Sequence, residues 1–379
     1  MNKKIIWALT GVLMIWFAGC KQKGREPTAT KQTQKIYLFF TNDLDGEIDL
    51  CGCPSRRMGG VSRRARYIER FLEMQEAVVQ VDAGNGFFPE RGIAGEVSAS
   101  ETEFALVLAR SAARLKVDAV NVGASDLRGG LDWLKRLEEQ AQEDGSLHLI
   151  SSNLVTSAGL KPLFETDRVV ERKGVRFGIF GLSQSPSPAP AMLLVQDPKT
   201  AAAFKTRQLR EEKKVDLVVG LFNLGLEQSK SICEQVPGID IVVVSGLSQY
   251  LPSPELAGNC LLVQAGAGGK YLGQLEIIYQ PGRKLGKGDS AEARKLQDEI
   301  ARLDSELDQL RLQMHDQGEL QEKYVSLKSR RDQLRSELER MTLGFDYQYL
   351  LVPLDMTLPQ DVKIQGWVMD ALKAREKQN

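Results

Sequence analysis

Residues 35–60 read KIYLFFTNDLDGEIDLCGCPSRRMGG. After Lys35 an unbroken apolar run leads into Asn42-Asp43-Leu44-Asp45, passes through a loop and reaches Gly59-Gly60 before the arginine-rich stretch VSRRARYIERF. A strand without polar alternation is buried on both faces. Two carboxylates spaced two residues apart at its exit are hard oxygen donors of the kind that hold cations. The pattern predicts a buried strand that delivers ligands to a loop at its C-terminal end.

The same grammar repeats along the chain. Apolar runs at AVVQVDAG (77–84), VDAVNVG (117–123), LHLISSN (147–153), VRFGIFGLS (175–183), VDLVVGLF (215–222), IDIVVVSG (239–246) and CLLVQAG (260–266) alternate with helical segments, among them 60–74, 101–115, 130–144 and 198–213. Near-continuous apolar strands separated by helices imply an α/β fold whose sheets are covered on their outer faces. In such sheets, ligands gather where the strands end at their C-terminal side.

A different period sets in at residues 288–343. Leu296, Ile300, Leu303, Leu307, Leu310 and Met314 step by four and three, the seam of a coiled coil. The pattern restarts in shifted phase at Leu320, Tyr324, Leu327, Leu334, Leu338 and Met341, with Arg331 in one core slot. Gly318 and the phase break predict an antiparallel hairpin, against the alternative of one long helix with a stutter. Residues 344–379 then read as a strand returning to the body and a final amphipathic helix.

The 379 residues are 42% apolar and carry 50 basic and 50 acidic side chains, so no excess charge points to nucleic acid. The start, MNKKIIWALTGVLMIWFAGC, places two lysines before an apolar stretch that ends in Ala18-Gly19-Cys20. It resembles a bacterial lipoprotein signal (1–20) with Cys20 as the lipidated residue, followed by a polar tether (21–34); the competing reading is an anchor helix. Lipidation at Cys20 makes the membrane a partner and places the chain in the cell envelope, facing the periplasm. Lys21 after the cysteine favours the outer over the inner membrane. A disulfide between Cys233 and Cys260 is open but not deducible, and Cys51 and Cys53 are candidate reactive or metal-binding thiols. No Cys-x-x-Cys-His occurs, which excludes attached haem.

FFTNDLDGEI, GGVSRRARYI, VVQVDAGNGFF, VDAVNVGASDL, SSNL, KGVRFGIFGLS, VDLVVGLFNLG, GIDIVVVSGLSQ and LLVQAGAGGKYLGQLEI follow one another in an order that resembles the calcineurin-like metallophosphoesterases, and within them the 5′-nucleotidase and UDP-sugar hydrolase group. The resemblance covers residues 35–282. It implies a four-layer sandwich, two packed mixed sheets flanked by helices, with the coiled-coil hairpin added. It also implies two divalent metals, held by ligands from several strand ends, that clamp and hydrolyse a phosphate ester.

Residue by residue, the ligand set departs from that pattern. Asp43 matches the Asp of the Asp-x-His element, but Asp45 stands at its histidine. Asn85 replaces the bridging Asp. Ala124 and Ser125 stand at the Asn-His pair, Asn223 at a further histidine and Leu247 at another, while Gln249 remains in place. The resemblance therefore implies a degenerate centre and no catalytic residue. Two readings stay open: one hard cation (Ca²⁺, Mg²⁺ or Mn²⁺) held by Asp43, Asp45, Asn85 and Gln249, or an emptied cleft whose side chains bond to one another, the second being favoured. Arg63 and Arg64, at a helix start, are candidate phosphate contacts; the competing reading is a basic surface. The sequence thus predicts a lipid-anchored, non-catalytic binding or assembly module that meets a protein partner through residues 288–343. The alternative is a residual metal-dependent phosphohydrolase acting on nucleotides or other phosphate esters.

Overall fold

The computed structural model describes residues 33–50, 57–89, 96–187, 189–246, 251–282, 285, 291–313, 318–342 and 346–377. Cys20, Cys51, Cys53, Leu247, Gln249 and His315 lie outside the described residues, as do the signal and nearly all of the tether.

Two six-stranded sheets form the centre. The first contains β1 (Gln34–Thr41), β2 (Val78–Asp82), β3 (Ala119–Asn121), β4 (Leu149–Ile150), β13 (Tyr271–Tyr279) and β14 (Tyr347–Pro353), in the order β14-β13-β1-β2-β3-β4. The second contains β6 (Asp167–Arg172), β7 (Val175–Ser183), β9 (Leu217–Asn223), β10 (Ile241–Ser245), β11 (Glu255–Ala257) and β12 (Cys260–Val263), in the order β11-β12-β10-β9-β7-β6. A small ribbon pairs β5 (Leu154–Thr156) with β8 (Leu193–Val195). Strands β1 to β4 run parallel, as do β7, β9, β10 and β12; β13, β14, β6 and β11 add antiparallel edges.

The apolar runs are continuous because both faces of each central strand are covered. On β1, Ile36, Leu38 and Phe40 point between the sheets and meet Phe177, Ile179, Val219, Leu221 and Val243. Tyr37 and Phe39 point outward to Ile68 and Phe71 of α1 (Val61–Glu73). Fully burying a side chain such as Phe40 stabilises by about 1.5–3 kcal/mol. Phe40 also explains Gly273 opposite it, where any Cβ would run into the ring.

Helices α2 (Ala99–Arg114), α3 (Leu131–Ala141) and α8 (Val362–Glu376) join α1 over the first sheet. Helices α4 (Pro198–Arg207) and α5 (Leu226–Gln235) cover the second. The result is a helix–sheet–sheet–helix sandwich, the α/β class that the alternation predicts. A disulfide joins Cys233 of α5 to Cys260 of β12, both buried, with Cα atoms 5.6 Å apart.

Beyond the sandwich, α6 (Ala291–Gln313) and α7 (Gly318–Thr342) lie side by side. Arg331 reaches Asp304 at 3.0 Å, Lys323 reaches Glu306 at 2.8 Å and Arg330 reaches Glu299 at 3.3 Å. Arg331, the odd residue in the apolar spacing, thus meets a carboxylate on the other helix. Among the described residues, no helix is long and apolar enough to cross a membrane.

Candidate functional site

Where β1, β2, β3, β9 and β10 end, their loops converge. Asp43, Asp45 and Asn85 adopt left-handed backbone, with φ of 46°, 55° and 57°. Asp and Asn tolerate this conformation better than other non-glycine residues, and such strain clusters at sites. The loops after β1 and β2 are laced together: Asp43 N–H donates to Gly84 O, Asp45 N–H to Asn85 O and Gly46 N–H to Gly86 O, each at 3.0 Å. Gly84, at φ 101°, leaves no room for a side chain, because a Cβ there would lie 2.8 Å from the Gly123 nitrogen.

The Asp43 carboxylate is buried and surrounded by donors. Its Oδ1 accepts from Asn85 Nδ2 (3.1 Å), Ser245 Oγ (2.9 Å) and the Gly246 amide (2.9 Å). Its Oδ2 accepts from Asn42 Nδ2 at 2.9 Å. A carboxylate offers roughly two lone-pair sites on each oxygen, so Oδ1 is fully used, while Oδ2 carries one donor; the single Ser245 hydroxyl proton is shared between Oδ1 and Gly84 O at 3.0 Å.

Those donors are themselves fixed. Asn85 Oδ1 accepts from the Ser125 amide at 3.1 Å. Asn223 Nδ2 donates to Ser245 Oγ at 2.9 Å, and its Oδ1 accepts from the Ala124 amide at 2.9 Å. Asn42 Oδ1 accepts from the Ala265 amide at 2.7 Å. One continuous network therefore runs from Asn223 through Ser245 and Asp43 to Asn85 and Ser125. Each amide has its oxygen on a donor and its nitrogen on an acceptor, which sets its orientation without ambiguity.

Two buried acids support these loops from behind. Asp126 accepts from the Asn85 and Gly123 amides (2.9 and 2.8 Å) through Oδ2, and from the Phe87 amide (2.8 Å) through Oδ1. Burial pushes its pKa up to about 7, against the opposing pull of those three N–H groups. Asp82 accepts from the Thr41 hydroxyl and, at 2.8 Å, from the Gly84 amide. Burial raises its pKa too, with these bonds and the Arg64 charge acting in the other direction. A lateral seam ties the sheets together beside the site. Asn121 Nδ2 donates to Ala83 O (3.1 Å) and Leu182 O (3.0 Å), and Asn153 exchanges bonds with both backbone groups of Ser183.

The structure thus brings Asp43, Asn85, Ala124, Ser125 and Asn223 together, with Asp45 one turn along the same loop. Arg63 and Arg64 point elsewhere. Arg63 lies 3.6 Å from Asp49, and Arg64 is buried beneath the first sheet facing Asp82, where burial lowers its pKa. His148 sits beside β4, its pKa lowered by burial and by Arg168. The residues that sequence reasoning missed are Asn42, Ser245, Gly246 and Asp126. Asp126 carried a signal, an acid inside the turn GASDLRGG that follows β3. Ser245 and Gly246 act through a hydroxyl and an amide common to any strand end. Among the described residues, no group of three or more His, Cys, Asp and Glu side chains is placed to hold a metal ion.

No protein-family profile matches the chain. The 5′-nucleotidase of Vibrio cholerae is 22% identical over 255 residues, 65% of this chain and 43% of that protein. The human 5′-nucleotidase is 24% identical over 278 residues, 65% of this chain and 46% of that protein. The chain spans about half the length of the curated relatives it matches. Among solved structures, a 5′-nucleotidase precursor from Thermus thermophilus superposes with a TM-score of 0.63 at 18% identity, over 90% of this chain and 59% of that one. The calcineurin-like phosphoesterase YfkN from Bacillus subtilis gives 0.58 at 14% identity, over 90% and 98%.

Proposed function

We propose that this chain, whose fold is that of the calcineurin-like phosphoesterases, is a non-catalytic member of the 5′-nucleotidase type, held to the cell envelope by lipid on Cys20 and working as a binding or assembly module. The observation that carries the reading is the occupancy of the Asp43 carboxylate by Asn42, Asn85, Ser245 and Gly246. A two-metal centre needs several anionic or imidazole donors with free lone pairs converging on each ion. Here the side chains at those positions are Asn85, Ala124, Ser125 and Asn223. The oxygens of both amides already accept from backbone N–H groups, and Ala124 has no donor atom to offer. The donor set does not fit a pair of divalent metals.

A fold stripped of that chemistry keeps its surface, and α6 with α7 adds a face absent from the sandwich itself. Residues 288–343 are proposed as the partner-docking element, through coiled-coil packing with helices of another protein. The test is crosslinking and recovery from the envelope with and without residues 288–343. Loss of the recovered partner, with unchanged far-UV circular dichroism from the remaining body, supports the reading; unchanged recovery removes the docking role.

The relatives named 5′-nucleotidase favour a second reading, a residual phosphohydrolase acting on nucleotides or other phosphate esters. Hydrolysis of AMP and of a chromogenic phosphodiester in the presence of Mn²⁺ decides it. Rates above those of Asp43→Ala support an enzyme, and equal rates exclude one that depends on this site.

A further inference from the structure

Between the outer face of the first sheet, α1 and α2, a cavity of about 40 Å³ remains. Most of its wall is apolar, including Phe39, Leu44, Ile68, Leu108 and Val120. A wall of that kind alone encloses a dry void. Four polar side chains break it: Thr41, whose hydroxyl is committed to Asp82, and Arg64, Gln80 and Asp82, which are 7%, 5% and 6% exposed.

Their bonding is incomplete in a complementary way. Gln80 Nε2 donates to Leu115 O at 2.9 Å, which leaves Gln80 Oε1 a buried acceptor with no donor. The Arg64 guanidinium carries five N–H donors. Among the described residues it makes no direct ion pair, and it is attracted to Asp82 from a distance. Asp82 has lone pairs beyond those used by Thr41 and Gly84. Buried polar groups of this kind are expected to find partners.

We infer that this cavity is a structural water site, in which water bridges Arg64 to Asp82 and to Gln80 Oε1. The volume holds roughly two or three molecules. Charge chemistry selects the occupant. A small anion accepts from Arg64 but cannot donate to Gln80 and is repelled by Asp82. A metal cation is repelled by Arg64. Water alone among these both donates and accepts. The bridge joins α1 to β2 at the residue whose side chain holds the Gly84 amide, and Gly84 O in turn holds the Asp43 amide. The water cluster thereby supports the loop under Asp43.

Crystals of the protein, examined at high resolution and after separate xenon and bromide soaks, test the assignment. The expected result is two or three density peaks within hydrogen-bonding distance of Arg64 and Gln80 Oε1, with no xenon and no anomalous bromide signal in the cavity. Xenon in the wild-type cavity, or no density at all, overturns the proposal in favour of a dry void. Bromide there overturns it in favour of an anion site. In solution, water ¹⁷O relaxation dispersion counts long-lived internal waters in the wild type and in Gln80→Leu. The count falls in the variant if the site is hydrated, and an unchanged count contradicts it.

Discussion

Replacing Asp43 separates a carboxylate that works through protein donors from one that waits for metal. In an unloaded metal centre the ligand acids repel one another, so truncating one is neutral or stabilising, as expected where function is bought with stability. Here the sign is reversed. In Asp43→Asn the amide oxygen keeps the three donors now on Oδ1, but its Nδ2 faces Asn42 Nδ2, an acceptor–donor contact at 2.9 Å turned into donor against donor. The expected cost is that of one unsatisfied buried group, about 1–3 kcal/mol. Asparagine tolerates the φ of 46°, so backbone strain does not confound it. Asp43→Ala strands Asn85 Nδ2 and the Gly246 amide, while Ser245 Oγ keeps Gly84 O at 3.0 Å and Asn42 Nδ2 keeps Gly266 O at 3.2 Å, and it adds a left-handed alanine. With two buried donors left unsatisfied, its expected cost is about 2–5 kcal/mol and exceeds that of Asp43→Asn. Urea unfolding followed by circular dichroism measures both, compared at constant m. Adding Mn²⁺ at 100 times a site's Kd would stabilise a binding protein by about 2.7 kcal/mol. Asp43→Ala that is neutral or more stable than the wild type, or a Mn²⁺ gain of that size lost in the variant, refutes the reasoning.

Three further outcomes follow from the same geometry. The Cys233–Cys260 bridge closes a loop with a sequence separation of 27, so Cys233→Ala/Cys260→Ala should lose about 3–4 kcal/mol in urea unfolding, and a loss below about 1 kcal/mol would contradict a stapling role. Asp126 has a folded pKa of about 7 against about 3.9 unfolded, so the folded state binds the extra proton and stability falls as pH rises from about 4 to 7, by on the order of 3–4 kcal/mol. Asp126→Asn should flatten that slope, and a wild-type protein that gains stability across the window would show the carboxyl to be ionised instead. Finally, Asp45→His/Asn85→Asp/Ala124→Asn/Ser125→His/Asn223→His/Leu247→His restores the donors expected of the fold. It should bind divalent metal as judged by calorimetry, and failure to do so would mean that the loops, not only the side chains, have lost the geometry.

The sandwich was legible because its central strands are buried on both faces, which leaves apolar runs such as IVVVS in β10 and LVVGLFN in β9. The edges were not. β6 reads DRVVER, four of its six residues charged on an edge strand that is only partly buried, and β5, β8 and β11 have three residues each, too short for periodicity. The antiparallel β13, YLGQLEIIY, mixes glycine and polar residues into its apolar positions and carries no clean period. At the site, positions with a characteristic residue type were readable: Asp43, Asn85, Ala124, Ser125 and Asn223 do converge. What the sequence withheld is where their hydrogen bonds go, since Gly246, Ala124 and Ser125 contribute backbone amides that any residue carries. Arg64 is the instructive case. Charge alone suggested a surface or a phosphate, yet its place in the stripe Val61, Arg64, Ala65, Ile68 puts it on the buried face of α1.

The proposed function rests on protein donors having taken the place of metal around Asp43. Its most direct test is elemental analysis of the purified protein and of Asp43→Ala after loading in turn with Mn²⁺, Zn²⁺, Mg²⁺ and Ca²⁺ and removal of excess ion. The expected result is the same substoichiometric metal in both proteins. About one equivalent or more in the wild type, lost on Asp43→Ala, would contradict it and return the site to metal chemistry.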